Sequence, residues 1–447
     1  MTILEPARQI PVWEEVDVCV IGGSCTGVFA AIRAARLGMK VVLVENQGRL
    51  GGTATSGLVY VWHSLLDDTF TTQVVGGLTD EVEKRMHREG RLQYIERSHN
   101  IGAKLDPMYL IYTLDQMVQE EKIKVYLHTR YAALQMEECE IKAVFLENKD
   151  GRGAVRARFF IDATGDGDLC RDIGLPSYQN AYLQPPSSCF FMTGSNDGED
   201  LEALTLAHGA EFGLDNDTGW NGQLPNIDNV FFRADNHVFN VDCSKAAELT
   251  YAEMEGRRRA YAFEKLLDTY GRRPHKIVNL CSHIGIRDTR HYLTEYCVTE
   301  EDLLSGRDFE DSILHGIYRL DVHHQAENAG WTFKYVDGTV ETFLGKSETP
   351  IVSNWREERG LGPADRHFYS MPFRALVQSK ASNFIMAGRM VNAEEFAYGA
   401  LRVMVNCNQM GEAAGVAAAL CLQENKPIWD LSGKKVRETL NAGGSLL

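Results

Sequence analysis

The sequence predicts an α/β fold, and three glycine-interrupted segments far apart in the chain predict it. The first is a strand, a glycine turn, a helix and a second strand over residues 16–45. The second is a strand running into Ala163-Thr164-Gly165-Asp166, and the third is Asn383 to Arg389, NFIMAGR, again a strand before a glycine turn. Segments of one kind at both ends of the chain imply a discontinuous domain interrupted by an insertion, which we expect to be mixed α+β.

Val16 to Ile21 (VDVCVI) is rich in β-branched residues and reads as a buried strand. Gly22, Gly23, Ser24, Cys25, Thr26 and Gly27 follow at once. Val28 to Leu37 then carries apolar residues at helical spacing, Gly38 ends that helix, and Lys40 to Val44 (KVVLV) is a second strand ending in Glu45. This order is the dinucleotide-binding fingerprint of a Rossmann-like domain. Gly22 permits the tight turn out of the strand, and Gly27 lets the helix pack closely on the sheet. The helix N-terminus presents N–H groups and a positive dipole end to a pyrophosphate. Glu45 lies about 20 residues on, where a carboxylate accepts hydrogen bonds from a ribose diol. The middle glycine of the motif is replaced by Ser24, a change that damages the site only if the position needs φ > 0.

After Glu45 come Asn46, Gln47 and then Arg49-Leu50-Gly51-Gly52-Thr53-Ala54-Thr55-Ser56-Gly57. A glycine pair followed by small hydroxyl residues lets backbone approach a flat group and supplies donors along it. Here the chain resembles the FAD-dependent oxidoreductases of the glutathione-reductase-like superfamily, and among them the group carrying GG-x-x-TSGL after the acidic residue. The resemblance implies FAD as cofactor, with this segment along its ribityl chain and isoalloxazine ring. Three further blocks carry it: FFIDATGDGD over 159–168, NFIMAGR over 383–389, and Arg402-Val403-Met404 leading into NCNQMGEAAGVAAAL over 406–420. It implies contacts to the cofactor from Ala163, Thr164, Gly165, Asp166, Gly388, Arg389 and Arg402. Gly411, Ala413, Ala414 and Gly415 make the last helix thin enough to lie against a cofactor or another helix. Its N-terminus, expected near Val405 and Asn406, turns a positive dipole end toward the flavin C2 carbonyl, where reduced flavin gathers negative charge.

The cofactor domain is expected over residues 1–70, 104–180 and 372–447, and the substrate domain over 71–103 and 181–371. Asp106-Pro107 is a helix start, with Asp as N-cap and Pro at the first position. The helix leads to a strand, KVYLHT, and Tyr131 near its end is a candidate backbone contact to adenine. A long charged helix is expected from Ala246 to Tyr270. A second G-x-G-x-x-G is missing from the sequence, so neither a built-in NAD(P)H domain nor the redox disulfide of pyridine-nucleotide disulfide reductases is expected.

A formal net charge of -16 argues against a nucleic-acid partner, because phosphate binding needs a basic footprint. The ten cysteines include no C-x-x-C pair and read as buried reduced thiols. No secretory signal or membrane span is read, so a cytoplasmic enzyme acting on a small molecule, compatible with a homo-oligomer, is expected.

The chemistry is expected from polar clusters in the inserted domain. Ser282 to His291 holds His283, Arg287 and Arg290; the resemblance matches the two arginines to an R-x-x-R segment suited to a carboxylate or oxyanion. The competing reading pairs Arg287 structurally with Asp or Glu. Asp321-Val322-His323-His324 offers an imidazole able to take a proton. Adjacent histidines on a strand point to opposite faces, so a metal is not expected there. Arg374 and Arg402 are expected to reach the flavin edge or a substrate anion, Tyr398 is a candidate acid with a packing role as the alternative, and His63 is expected to face the ring. The reading is a FAD-dependent dehydrogenase or oxidase passing hydride from a small polar substrate to flavin N5. Its rivals are a flavin monooxygenase with an external reductant and a FAD-binding protein without turnover.

Overall fold

The computed structural model describes residues 2–4, 6–98, 100–194, 198–214, 219–225, 227–325, 330–344 and 349–447. The chain opens with β1 (Val12–Ile21), α1 (Cys25–Arg36) and β2 (Val41–Val44). A small antiparallel sheet follows, from β3 (Val61–Trp62), β4 (Leu92–Tyr94) and β5 (Ala103–Leu105), with α2 (Gly77–Arg88) between its strands. Helix α3 (Pro107–Glu120) starts at Asp106, whose carboxylate accepts from the N–H groups of Met108 and Tyr109. It leads to β6 (Lys124–Tyr126) and the meander β7 (Arg130–Glu137), β8 (Glu140–Asn148) and β9 (Gly151–Asp162). These join one sheet in the order β6-β2-β1-β9-β8-β7.

After α4 (Asp168–Asp172), β10 (Ser177–Tyr178) and β11 (Ser187–Thr193) enter the inserted region. Helix α5 (Leu201–His208), β12 (Trp220–Gln223), β13 (Val230–His237), α6 (Ala246–Tyr270) and β14 (Ile277–Leu280) complete a four-stranded antiparallel sheet, β12-β13-β11-β14, and its covering helices. The expected long helix has the bounds read from the sequence, and its Ala260, Phe263, Leu266 and Leu267 pack on Phe190, Met192 and Phe231 of the sheet. Next come β15 (His291–Tyr292), α7 (Glu300–Leu304) and β16 (Ser312–Gly316). A second four-stranded sheet follows from β17 (Leu320–His323), β18 (Gly330–Lys334), β19 (Thr339–Leu344) and β20 (Ile351–Asn354). Helix α8 (Trp355–Glu358) and β21 (Tyr369–Pro372) close the insertion, β21 pairing with β16.

The chain then returns to the first sheet. Strand β22 (Phe384–Met386) runs parallel to the last residues of β9, so β6, β2, β1, β9 and β22 form a parallel set. Helices α9 (Glu395–Leu401), α10 (Met404–Glu424) and α11 (Gly433–Ala442) follow. The small-residue helix α10 lies on α1 so closely that a Cβ at Gly411 would stand 2.1 Å from Thr26 O and one at Gly415 2.2 Å from Ala30 O. Residues 71–103 pack on the first domain's helices. Leu78, Val82, Met86 and Leu92 share one core with Val18, Val28 and Ala414, because α2 buries its apolar stripe against the helical layer of the first domain.

All ten cysteines are free, with Cys139 and Cys297 exposed and the other eight buried. Among the described residues no helix is long and apolar enough to cross a membrane.

Candidate active site

A cavity of about 1310 Å³ opens at the carboxyl ends of β1, β2 and β9 and runs into the inserted region. Sites for one small ligand are usually ~300–1,000 Å³, so this space accommodates more than one such molecule. Its first wall is the turn after β1. Gly22 has φ +103°, and a Cβ there would stand 2.3 Å from Ala163 O. A Cβ at Gly27 would stand 1.8 Å from Gly22 O, so only glycine lets the helix seat on the turn. Helix α1 begins at Cys25, three residues earlier than the apolar spacing suggested, and Ser24 is its N-cap with φ −62° and ψ 171°. That is ordinary extended backbone, so serine replaces the middle glycine without strain.

Glu45 is buried at the end of β2 and accepts the N–H of Gly23 (2.6 Å) and of Gln47 (2.6 Å). Burial pushes its pKa up, against the pull of these N–H groups. Ser24, Cys25, Thr26, Glu45, Asn46, Gly51, Gly52 and Thr53 all line the cavity, as do Ala163, Thr164, Gly165, Asp166 and Gly388. Arg389 lines it too, held 2.6 Å from Asp166 and donating to the Thr289 hydroxyl at 2.6 Å.

Several expected contacts stand elsewhere. Gly23 and Gly27 lie behind the turn, serving its geometry. Ala54 packs in the core, and the Thr55 hydroxyl donates to Leu50 O. Tyr131 lines the cavity from the start of β7, not from the end of the preceding strand, and its hydroxyl donates to Asp172 (2.8 Å). Helix α10 starts at Met404, and the side chains of Val405 and Asn406 turn inward; the Asn406 amide donates to the Tyr369 hydroxyl (3.0 Å) and Ala400 O (2.9 Å). A helix leaves its first N–H groups without intrahelical partners, here those of Met404 and Val405. The wall itself is Val403, Met404, Cys407 and Asn408.

Asn408 tests the fit of a cofactor. It is 1% exposed, yet among the described residues neither its Nδ2 nor its Oδ1 has a hydrogen-bond partner. Buried polar groups are paired in folded proteins, so a polar ligand in this part of the cavity is what the side chain requires. The Ser56 hydroxyl, which lines the same cavity, is likewise buried without a partner among the described residues. The residues present fit FAD.

The far end of the cavity is built by the inserted region. His323 Nε2 lies 3.1 Å from Asp321 Oδ1, and the Tyr318 hydroxyl donates to Asp321 Oδ2. Arg402 approaches Asp321 Oδ2 at 3.8 Å and donates to Gln184 Oε1 at 3.0 Å. Burial alone would raise the Asp321 pKa, but the charges of His323, Arg402 and Arg319 hold it well below the usual carboxylate range. His324 turns away and meets the Thr332 hydroxyl at 3.0 Å, as alternation on a strand requires. His63 stacks on Tyr318 with ring centroids 3.8 Å apart, and burial pulls its pKa down to about 4.

Arg287 lines the cavity while its guanidinium pairs with Asp235 and donates to Pro185 O (2.9 Å) and the Ser187 hydroxyl (3.0 Å). The structural pairing considered from the sequence therefore holds. His283 lines the cavity with Nδ1 2.8 Å from Ile284 O. Three expected catalytic residues are corrected. Arg290 stands outside the lining and donates to Ser244 O (2.9 Å). Arg374 follows a short 3-10 turn out to a separate hollow, where it pairs with Asp311 (3.0 Å) beside the Tyr296 ring. Tyr398 is fully buried and its hydroxyl donates to Arg287 O; burial pushes its pKa well up, which leaves a packing role. Tyr318, Arg319, Asp235, Trp331, Phe343 and Asn408 line the site without having been read from the sequence. Only the tyrosine–arginine pair just before Asp321 offered a signal.

A model of the family described as FAD dependent oxidoreductase matches residues 17–440. The mitochondrial dihydrolipoyl dehydrogenase of Schizosaccharomyces pombe is 42% identical over 65 residues, which is 12% of this chain and 13% of that protein. The dihydrolipoyl dehydrogenase of Trypanosoma brucei brucei is 50% identical over 46 residues, 10% of each chain. The chain thus aligns with about a tenth of the length of the curated relatives it matches. Among solved structures, a geranylgeranyl bacteriochlorophyll reductase-like protein from Thermoplasma acidophilum is 12% identical with TM-score 0.47, covering 96% of this chain and 82% of that one. A flavoprotein/dehydrogenase from Cytophaga hutchinsonii is 12% identical with TM-score 0.45, covering 96% and 83%.

Proposed function

The chain belongs to the FAD-dependent oxidoreductase family and is an enzyme that uses FAD, and from that premise we propose that it oxidises a small polar substrate with a C–H bond next to an OH or NH group. The observation that carries this reading is the Asp321–His323 pair at the far end of the cavity. When bound, the flavin supplies a two-electron acceptor for the hydride. The substrate's O–H or N–H proton then needs a base, and His323 is that base.

Of the two ring nitrogens Nδ1 is enclosed by protein, which leaves Nε2, beside Asp321, to take the proton. Ionised Asp321 stabilises the imidazolium formed when Nε2 takes the proton, and Tyr318 and Arg402 hold Asp321 in place. Arg402 and Arg319 orient the polar end of the substrate.

Anaerobic mixing with candidate alcohols, amines and hydroxy acids tests the reading. Bleaching of the flavin absorption with one equivalent of carbonyl product is expected. Bleaching by none of them, together with NAD(P)H consumption yielding a hydroxylated product, would overturn it in favour of a monooxygenase.

A further inference from the structure

The second inserted sheet presents one continuous face to the cavity. His323 is the cross-strand partner of Trp331, and Trp331 is the partner of Phe343. The Trp331 and Phe343 rings lie with centroids 5.1 Å apart and planes tilted by 31°, and the Trp331 ring lies 6.4 Å from the His323 ring. On the same face, two residues along, Asp321 is the partner of Phe333, which lies 6.2 Å from Trp331. The proposed base thus stands at the edge of a floor of three aromatic rings.

That floor ends in a cation. The Arg319 guanidinium lies 3.4 Å from the Phe333 ring centroid, and its Nη1 donates to the Tyr335 hydroxyl (3.1 Å). Among the described residues no carboxylate stands within ion-pair distance of Arg319, and its Nε is buried without a hydrogen-bond partner. Arg402, whose Nε is also buried and unpartnered, flanks the same spot. Arg287, Arg319 and Arg402 line this end with Asp235 and Asp321; Arg287 pairs with Asp235 and Arg402 stands 3.8 Å from Asp321, which leaves Arg319. Asp200 and Glu202 belong to the outer rim, exposed on α5 and screened by water. Glu341, the next carboxylate on the sheet face, accepts from Tyr335 and does not line the cavity. The surplus is positive, and a half-buried surplus in a cavity is matched by a ligand of opposite charge.

We infer that the substrate is an aromatic carboxylic acid, its ring on Trp331 and Phe343 and its carboxylate on Arg319 and Arg402, with the oxidisable carbon beside His323. This rests on the oxidation reading above and names the class of substrate for that site.

The FAD-loaded protein is titrated with benzoate, benzyl alcohol and acetate, with the flavin absorption and equilibrium dialysis as readouts. Benzoate should bind at least about tenfold more tightly than either, as expected for one charge-assisted hydrogen-bonded contact and one stacked ring. In Arg319→Gln, with FAD content unchanged, benzoate affinity should fall about tenfold while benzyl alcohol affinity stays the same. Equal binding of benzyl alcohol or of acetate, or no binding of benzoate, overturns the inference; the comparison of the three ligands decides even if the variant does not fold. A 2-hydroxy-2-arylacetate, added anaerobically, separates the two readings. Benzoate binding without bleaching by any substrate supports the aromatic acid site while the oxidation reading falls. Bleaching by a neutral aliphatic alcohol without benzoate binding overturns the acid site and leaves oxidation standing.

Discussion

His323 Nε2 stands 3.1 Å from Asp321 Oδ1, two residues earlier on the same short strand. A period of two puts the acid and the base on one face of the sheet, while His324 falls on the other. Removing the imidazole leaves that face, and the cofactor wall across the cavity, intact. In His323→Asn the rate of anaerobic flavin reduction should fall about 10²–10⁴-fold, the range for loss of a general base. FAD content should be unchanged. Stopped-flow reduction at saturating substrate measures this, and a wild-type rate would remove His323 from the mechanism.

Asp321 is the anion on which His323, Arg402 and the Tyr318 hydroxyl converge. Replacing it with asparagine leaves buried positive charge without its counter-ion, a change that costs about 3–5 kcal/mol. Urea denaturation of Asp321→Asn followed by far-UV circular dichroism should register a destabilisation of that size.

The turn after β1 makes a paired prediction. Gly22→Ala puts a methyl 2.3 Å from Ala163 O at a residue with φ +103°, so the variant should purify without FAD absorption. Ser24→Gly, at a residue with φ −62°, should keep its FAD. The visible spectrum of each purified variant decides both.

Asn408 pays for its place only if a ligand meets its amide. Asn408→Leu should weaken FAD binding by about tenfold to a hundredfold, the penalty of 1–3 kcal/mol for an unmet buried polar contact. The same change should stabilise the FAD-free protein, since an apolar side chain replaces an unpaired one. Calorimetric FAD titration and thermal melts of the stripped protein read the two effects separately.

Glu83 sits on the inner side of α2, 1% exposed, with Oε1 lacking a partner among the described residues. Burial, aided by the charge of Asp80, pushes its pKa up to about 8 from 4.5. Between those values the folded protein holds a proton that the unfolded chain has released. Stability therefore falls as pH rises through that window, by about 1.4 kcal/mol per pH unit. Glu83→Gln should remove this slope and be more stable than wild type at pH 8. Urea midpoints at pH 5 and pH 8 measure the difference.

The local elements were legible because each follows from a short pattern. Gly22 and Gly27 announced a tight turn with a helix seated on it, Glu45 the acid at the next strand end, and Gly411 and Gly415 a helix thin enough to lie on another. Ala246 to Tyr270 declared a helix by its length and composition. Three of the misreadings are of side-chain direction. Arg290, Arg374 and Tyr398 lie in the segments expected, but each points to a structural partner, Ser244 O, Asp311 and Arg287 O respectively. A motif gives position along the chain, whereas direction depends on neighbours brought in from distant residues.

The sequence by itself determined the cofactor domain, since a nucleotide site of this kind is made mostly of backbone, and backbone turns are encoded by glycine and small residues over a few positions. Tertiary structure alone decided the substrate end. Asp235 from β13, Arg287 from the loop after β14, the Tyr318–His323 segment, and Trp331 and Phe343 from adjacent strands meet there. Their significance is charge balance and unmet hydrogen bonds, which are properties of what surrounds a residue and not of the residue's place in the chain.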